Sequence, residues 1–115
     1  MGTYARVYVN DGSHDDVNYA FETIKQLDLL LSDYNPDSQV SQISKLAGNA
    51  PVTVSPEVME VLATAKRVAA ETGGAFDPTI GAVTIGVYRF GREDARPPDE
   101  DEIALAKALV DYNSL

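Results

Sequence analysis

The stretch "GGAFDPTIG", residues 73–81, is expected either to turn the chain alone or also to hold a ligand. Three glycines and a proline within nine residues turn the backbone sharply, yet the stretch is too apolar for a solvated loop. Gly73 stands where a helix is expected to end in a left-handed cap. Two interpretations of Asp77 stay open from the residues alone. It is either a turn carboxylate that accepts hydrogen bonds from nearby backbone N–H groups, or an acceptor for polar groups of a ligand held over the glycine-flanked backbone.

The segments on both sides of this stretch predict an α+β fold, with a small mixed or antiparallel sheet and about three helices packed on one side. The strands are predicted where β-branched and aromatic residues cluster: residues 3–9, 52–54 and 82–87. The helices are predicted where apolar residues recur at spacings of three and four after capping residues: Ser13, Ser55 and Asp99. Residues 34–50 are expected to form a loop with a short helical turn at 40–46.

The helix predicted from residue 56 to residue 72 has the clearest signals in the chain. A capping hydroxyl precedes Pro56 at the first helical position, and an acid follows in the first turn. Its apolar residues, which include Val58, Val61 and Ala69, are expected to form one buried face.

Length and composition bound the function. A chain of 115 residues with 44% apolar residues is expected to form a single domain, residues 1–115, with one core. The net charge of −9 argues against binding to nucleic acid or to an anionic membrane. There is no cysteine, and a single histidine, His14, expected to be exposed, cannot build a metal site. No apolar run approaches the ~20 residues that span a bilayer, and the first residues lack the regions of a secretory signal.

Four motifs in register then point to a family. They are "MGT" at 1–3, "LLSDYNPDSQVSQIS" at 30–44, "VTVSPEV" at 52–58 and "GGAFDPTIG" at 73–81. Together they resemble the N-terminal part of the FAD:protein FMN transferases, once described as thiamine-biosynthesis lipoproteins, along almost the whole chain. The resemblance implies an enzyme that transfers the FMN half of FAD to a threonine or serine of an acceptor protein, releasing AMP.

The resemblance also implies which residues meet the flavin dinucleotide. The methionine of "MGT" maps to Met1, and the aromatic residue that lies against the flavin maps to Tyr34. The tripeptide that lines the FAD site maps to Ala75, Phe76 and Asp77.

The resemblance places the metal chemistry elsewhere. Family members use Mg²⁺, whose ligands, an Asp and a Thr among them, belong to a C-terminal half that the family has beyond this length. No metal ligand is therefore expected in this chain, which alone would be inactive. It is expected to be a fragment, or a short member that self-associates or pairs with a C-terminal half. The alternatives are a flavin-binding or structural module without catalysis, and a relative that hydrolyses FAD. Family habit is periplasmic or membrane-anchored, but no residue here assigns a compartment.

Overall fold

The computed structural model describes residues 4–115. This part of the chain divides into two compact units: the first ends at Met59, and the second comprises Glu60–Leu115. The helices, in chain order, are α1 (His14–Leu31), α2 (Gln39–Leu46), α3 (Pro56–Glu71), α4 (Gly81–Thr84) and α5 (Glu100–Lys107), followed by a 3₁₀ turn at Tyr112–Ser114. The prediction of one domain over residues 1–115 stays a prediction.

The first unit is built on α1 and α2, which lie against each other. The Ser13 Oγ accepts a hydrogen bond from the Asp16 N–H, and the Asp16 carboxylate accepts one from the Ser13 N–H at 2.7 Å. This capping box satisfies two of the amide groups left free at a helix start, and it confirms Ser13 as the cap. The predicted helical turn near residues 40–46 is the longer helix α2.

In the second unit, α4 lies against α5. The buried apolar side chains there include Ala69 of α3, Val83 of α4 and Ala106 of α5. Asp99 caps α5 as predicted, because its side chain accepts from the Glu102 N–H at 2.8 Å. None of the helices that the structure describes is both long and apolar enough to cross a membrane.

Helix α3 ends in a Schellman motif. The Gly74 N–H donates to the Ala69 carbonyl at 2.9 Å, and the Gly73 N–H donates to the Ala70 carbonyl at 3.1 Å. Gly73 has φ 59° and Gly74 has φ 82°, in the left-handed region that glycine adopts without steric cost. The predicted left-handed cap at Gly73 is confirmed. The buried face of α3 is narrower than predicted, however, since Val58 is fully buried whereas Val61 is 45% exposed.

The predicted sheet is wrong: residues 4–115 contain no strand, and their regular structure is helical. Residues 4–9 and 51–55 have no regular secondary structure, and Tyr4 and Tyr8 are exposed. Their β-branched and aromatic composition indicates only that they would suit a pleated, half-buried surface. A β-strand also needs backbone hydrogen bonds to a neighbouring strand. Neither segment forms such a ladder with any other segment among residues 4–115.

The third predicted strand, residues 82–87, is absent for a different reason: residues 82–84 lie in α4, and residues 85–87 form a turn after it. Its chain follows the turn at Pro78, and the Thr84 N–H donates to the Ile80 carbonyl at 3.0 Å. The Ile85 N–H likewise donates to the Gly81 carbonyl at 2.9 Å. A short apolar run does not by itself distinguish a strand from a buried helical turn, and here the local i→i−4 bonds decide.

Candidate functional site

The stretch at residues 73–81 connects α3 to α4 inside the second unit. It leaves α3 through the Schellman motif at Gly73 and Gly74 and enters α4 at Gly81. The Ala75 N–H donates to the Thr72 carbonyl at 3.2 Å, and the Phe76 N–H donates to the Thr72 hydroxyl at 3.2 Å. The start of the stretch is therefore anchored to the last turn of the helix.

Asp77 holds the middle of the stretch through both carboxylate oxygens. Its Oδ1 accepts from the Thr79 N–H at 2.8 Å and from the Thr79 hydroxyl at 2.6 Å. Its Oδ2 accepts from the backbone N–H of Tyr112 at 3.1 Å. The bond to the N–H two residues ahead is an Asx turn. Of the two interpretations left open by the sequence, the turn carboxylate is thus present, and an ionised carboxylate still has further acceptor positions.

Thr79 ties the same stretch to residues 111–114. Its Oγ1 accepts a hydrogen bond from the Asp111 N–H at 2.9 Å while donating to Asp77. Asp111 in turn begins the 3₁₀ turn, where its carboxylate accepts from the Asn113 N–H at 2.9 Å. We call Asp77, Thr79 and the N–H groups of Asp111 and Tyr112 the clasp.

The clasp is negatively charged. Burial alone raises the pKa of the Asp77 carboxyl, but the hydrogen bonds donated by Thr79 and by the Tyr112 N–H outweigh this effect and hold the pKa below its usual range. Bonds from Asn113 and Ser114 lower the pKa of Asp111. Both carboxyls are therefore ionised at neutral pH.

Phe76 presents its ring to solvent at the bend of the stretch. The residue is 46% exposed although its backbone N–H is bonded. An exposed aromatic on an anchored backbone can offer a flat surface to a ligand ring with little loss of conformational freedom.

Tyr34 lies in the first unit, in the link between α1 and α2, and it is 73% exposed. The link is closed by Ser38, whose buried hydroxyl donates to the Ser32 carbonyl at 2.6 Å and accepts from the Ser41 N–H at 3.0 Å. The Gln42 side chain also donates to the Pro36 carbonyl at 2.9 Å. Tyr34 is thus an exposed ring on a fixed link.

The structure brings three of the five predicted site residues together in one turn. Ala75, Phe76 and Asp77 form one anchored turn in the second unit, whereas Tyr34 belongs to the first unit. Met1 lies outside the described residues.

Sequence reasoning missed two residues that shape these sites. Thr79 could have been found from the Asp-Pro-Thr order, because an Asp followed two positions later by a residue with a free N–H favours an Asx turn. Ser38 could have been found as the capping hydroxyl before the apolar spacing of Val40 and Ile43.

A cleft lies elsewhere in the second unit, away from residues 73–81. The rings of Tyr88 and Phe90 stack with centroids 5.0 Å apart. They line a cleft of ≈ 290 Å³ together with Ala95, Arg96 and Pro97. Arg96 is paired with Glu102, so its charge is already compensated within the unit.

A metal centre is not formed by the residues that the structure describes. Over residues 4–115, no group of three or more acidic or histidine side chains is placed to hold a cation. The carboxylate of Asp77 already accepts three hydrogen bonds, two at Oδ1 and one at Oδ2.

Comparisons with known proteins agree on one family. A family model described as the ApbE family matches residues 1–115. A protein of Treponema pallidum (strain Nichols) named FAD:protein FMN transferase is 29% identical, with a match covering 100% of this chain and 33% of that protein. A protein of the same name from Klebsiella pneumoniae (strain 342) is 33% identical over 85% of this chain and 31% of its own length.

A solved structure is also similar. The crystal structure of Pseudomonas stutzeri flavinyl transferase ApbE, in its apo form, superposes with a TM-score of 0.74 at 29% identity. The match covers 91% of this chain and 36% of that one. The chain thus spans about a third of the length of the relatives it matches. Since the family model matches the full length of the sequence, the chain belongs to the ApbE family.

Proposed function

We propose that this chain is the FAD-binding part of an FAD:protein FMN transferase. Its membership of the ApbE family and the names of its relatives support this reaction class. The observation that carries the proposal is the anchored turn at residues 75–77, which holds an exposed Phe76 ring on a backbone fixed at both ends.

The proposed FAD contacts are those that the family resemblance implies: Met1, Tyr34, Ala75, Phe76 and Asp77. Tyr34 and Phe76 are exposed aromatic residues, and stacking on the flavin ring system would add about 0.5–1.5 kcal/mol beyond area burial. Ala75, with its small side chain, allows a ligand close to the backbone. Asp77 shapes the turn and keeps an acceptor position free for a ligand hydroxyl or amide.

In the reaction proposed for the whole protein, a threonine or serine hydroxyl of an acceptor protein attacks the phosphorus of the FMN half. A new P–O bond forms, the pyrophosphate P–O bond breaks, AMP leaves, and the hydroxyl proton passes to a base. The part of the protein that corresponds to the remaining two thirds of its relatives is proposed to supply that base and the Mg²⁺ ligands. The described residues do not fit a Mg²⁺ site, so this chain is assigned binding and orientation of FAD alone.

The proposed partners are FAD and the acceptor protein. Self-association, or pairing with a C-terminal half, is proposed as the way in which the remaining chemistry reaches the site. Each unit has exposed apolar side chains, such as Leu29 in the first and Leu105 in the second, that a partner could cover.

The test is a titration of the chain with FAD, followed by flavin fluorescence with and without Mg²⁺. We expect saturable binding that does not change with Mg²⁺. Phe76→Ala and Tyr34→Ala should each raise the Kd about tenfold, because each loses one stacked ring. The matched control is Tyr19→Ala, which removes an exposed tyrosine ring from α1.

Two results would contradict the proposed function. The first is an absence of binding by the unmodified chain. The second is an equal change of Kd in all three variants. It would show that Phe76 and Tyr34 contribute no more to FAD binding than the control residue Tyr19.

A further inference from the structure

The proposed function gives no role to Thr79 or to the hydrogen bond that it accepts from the Asp111 N–H within the clasp. The Asp111 N–H donates to the Thr79 hydroxyl, 32 residues away, and the Tyr112 N–H donates to the Asp77 carboxylate, 35 residues away. We propose that the clasp sets the conformation in which the turn binds the flavin dinucleotide, and that Thr79 is the positioning residue at its centre. This inference rests on the proposed function.

The hydroxyl of Thr79 has one donor and two acceptor positions. The donor is directed to the Asp77 carboxylate at 2.6 Å, within the range of O–H···O⁻ bonds that an ionised acceptor shortens. That direction leaves the lone pairs of Oγ1 for the Asp111 N–H at 2.9 Å. One hydroxyl therefore joins the turn to residues 111–114, and no apolar side chain of the same shape could replace it.

The clasp acts on the middle of the turn. The N–H groups of Ala75 and Phe76 hold the start of the turn to Thr72. Asp77 and Thr79, by contrast, are joined to residues 111 and 112 by the clasp. A ligand that binds one conformer has an apparent Kd increased by the inverse of the fraction of molecules in that conformer. By tying the middle of the turn to residues 111 and 112, the clasp raises that fraction, and its loss appears in affinity.

The decisive variants separate the hydroxyl of Thr79 from its methyl group. Thr79→Val keeps the shape of the side chain and removes both of its hydrogen bonds. Thr79→Ser keeps the hydroxyl and removes the methyl group. Thr64→Val makes the same chemical change at an exposed position of α3, outside the clasp, and serves as the matched control.

Each variant is prepared in the full chain, and two quantities are measured. The first is the Kd for FAD by flavin fluorescence. The second is the hydrogen-exchange rate of the backbone amides of Asp111 and Tyr112, which reports the clasp with no ligand present.

We expect Thr79→Val to speed exchange of the Asp111 amide and to raise the Kd about tenfold, as for the loss of one or two ordinary hydrogen bonds. Thr79→Ser should restore both quantities, and Thr64→Val should change neither. A threonine that only stabilised the fold would also speed the exchange of amides elsewhere in the second unit, whereas a local positioning role changes those of residues 111 and 112.

The outcomes separate this inference from the proposed function. If the unmodified chain binds FAD and Thr79→Val binds equally well despite faster exchange, the positioning role is overturned and the proposed function stands. Unprotected amides of Asp111 and Tyr112 in the unmodified chain would overturn the clasp itself. An unmodified chain that binds no FAD overturns the proposed function, and the positioning role fails with it.

Discussion

At the scale of the residue, the turns and helix starts of the described chain are held by polar side chains, most of whose hydrogen bonds reach only two or three positions along the sequence. Ser13, Asp77, Thr79 and Asp99 each satisfy backbone N–H groups or side chains within a few positions. Sequence order predicts such residues well when the partner is local, as the two helix caps at Ser13 and Asp99 show. It does not predict that Asp77 and Thr79 also receive bonds from residues 111 and 112, because contacts across more than thirty positions leave no local signal.

One residue carries a pH dependence that can be measured. The hydrogen bond from Arg96 lowers the pKa of Glu102 to about 2, assisted by the N–H of Asp99. The pKa of Glu102 is thus lower in the folded chain than its ordinary value of 4.5. The stability that this pair contributes is fully present above about pH 4.5 and is lost as the pH falls towards about 2.

The variant Glu102→Gln isolates that contribution from the other carboxyls. We expect the difference in Tm between the unmodified chain and Glu102→Gln to shrink steadily as the pH is lowered across this window, because protonation removes the same charge. The measurement is thermal unfolding followed by circular dichroism at a series of pH values. A difference that stays constant down to pH 2 would show that the Arg96–Glu102 pair is not formed in solution.

At the scale of the element, α3 shows where periodicity succeeds and where it stops. Its start at Pro56 and its left-handed cap at Gly73 were predictable from the sequence. Proline suits the first position of a helix, and glycine adopts the positive φ of the cap without steric cost. The width of its buried face does not follow, because burial depends on which neighbours pack against the helix. Val58 and Val61 are both apolar and both expected to be buried, yet only Val58 is.

This contrast predicts unequal costs for the same substitution. Val58→Ala should lower the free energy of unfolding by about 2 kcal/mol, because it removes two fully buried methyl groups. Val61→Ala should cost less than about 1 kcal/mol, since nearly half of its surface is already in water. Both changes lie within α3, so the gain in helix propensity is the same. Urea denaturation measures both, and equal costs would place Val61 in the core.

The cap of α3 predicts a second contrast, between two glycines. Gly73→Ala should destabilise the chain by about 1 kcal/mol, because φ of 59° brings a Cβ close to the following carbonyl oxygen. Beyond Gly73 itself and its two neighbours in the chain, no heavy atom lies within 4 Å of a Cβ built there, so this backbone strain is the main effect. Gly81→Ala has equal space and no positive φ, and it should change stability by less than about 0.5 kcal/mol. Chemical denaturation of the two variants side by side decides the matter, and a neutral Gly73→Ala would argue against the Schellman motif.

At the scale of the whole molecule, family membership was predictable from four motifs in order, and the family model confirms it. The helical architecture of residues 4–115 was not predictable in this way, and the predicted α+β fold is wrong. Strand composition at residues 4–9 and 52–54 describes a surface that suits a sheet, whereas a sheet also needs paired backbones, and pairing is a property of distant segments. At residues 82–87 the composition was equally β-like, yet nearby carbonyls satisfied the backbone first.

The buried hydroxyl of Ser38 also constrains the length of the link that it closes. It donates to the Ser32 carbonyl and accepts from the N–H of Ser41, the third residue of α2, so the five residues 33–37 must span a fixed distance. An inserted or deleted residue there would break the two hydrogen bonds of Ser38. Residues 47–50, which follow α2, are exposed and are not held by a buried side chain of this kind. In related sequences, gaps should therefore fall after α2, and the distance from Ser32 to Ser38 should stay constant.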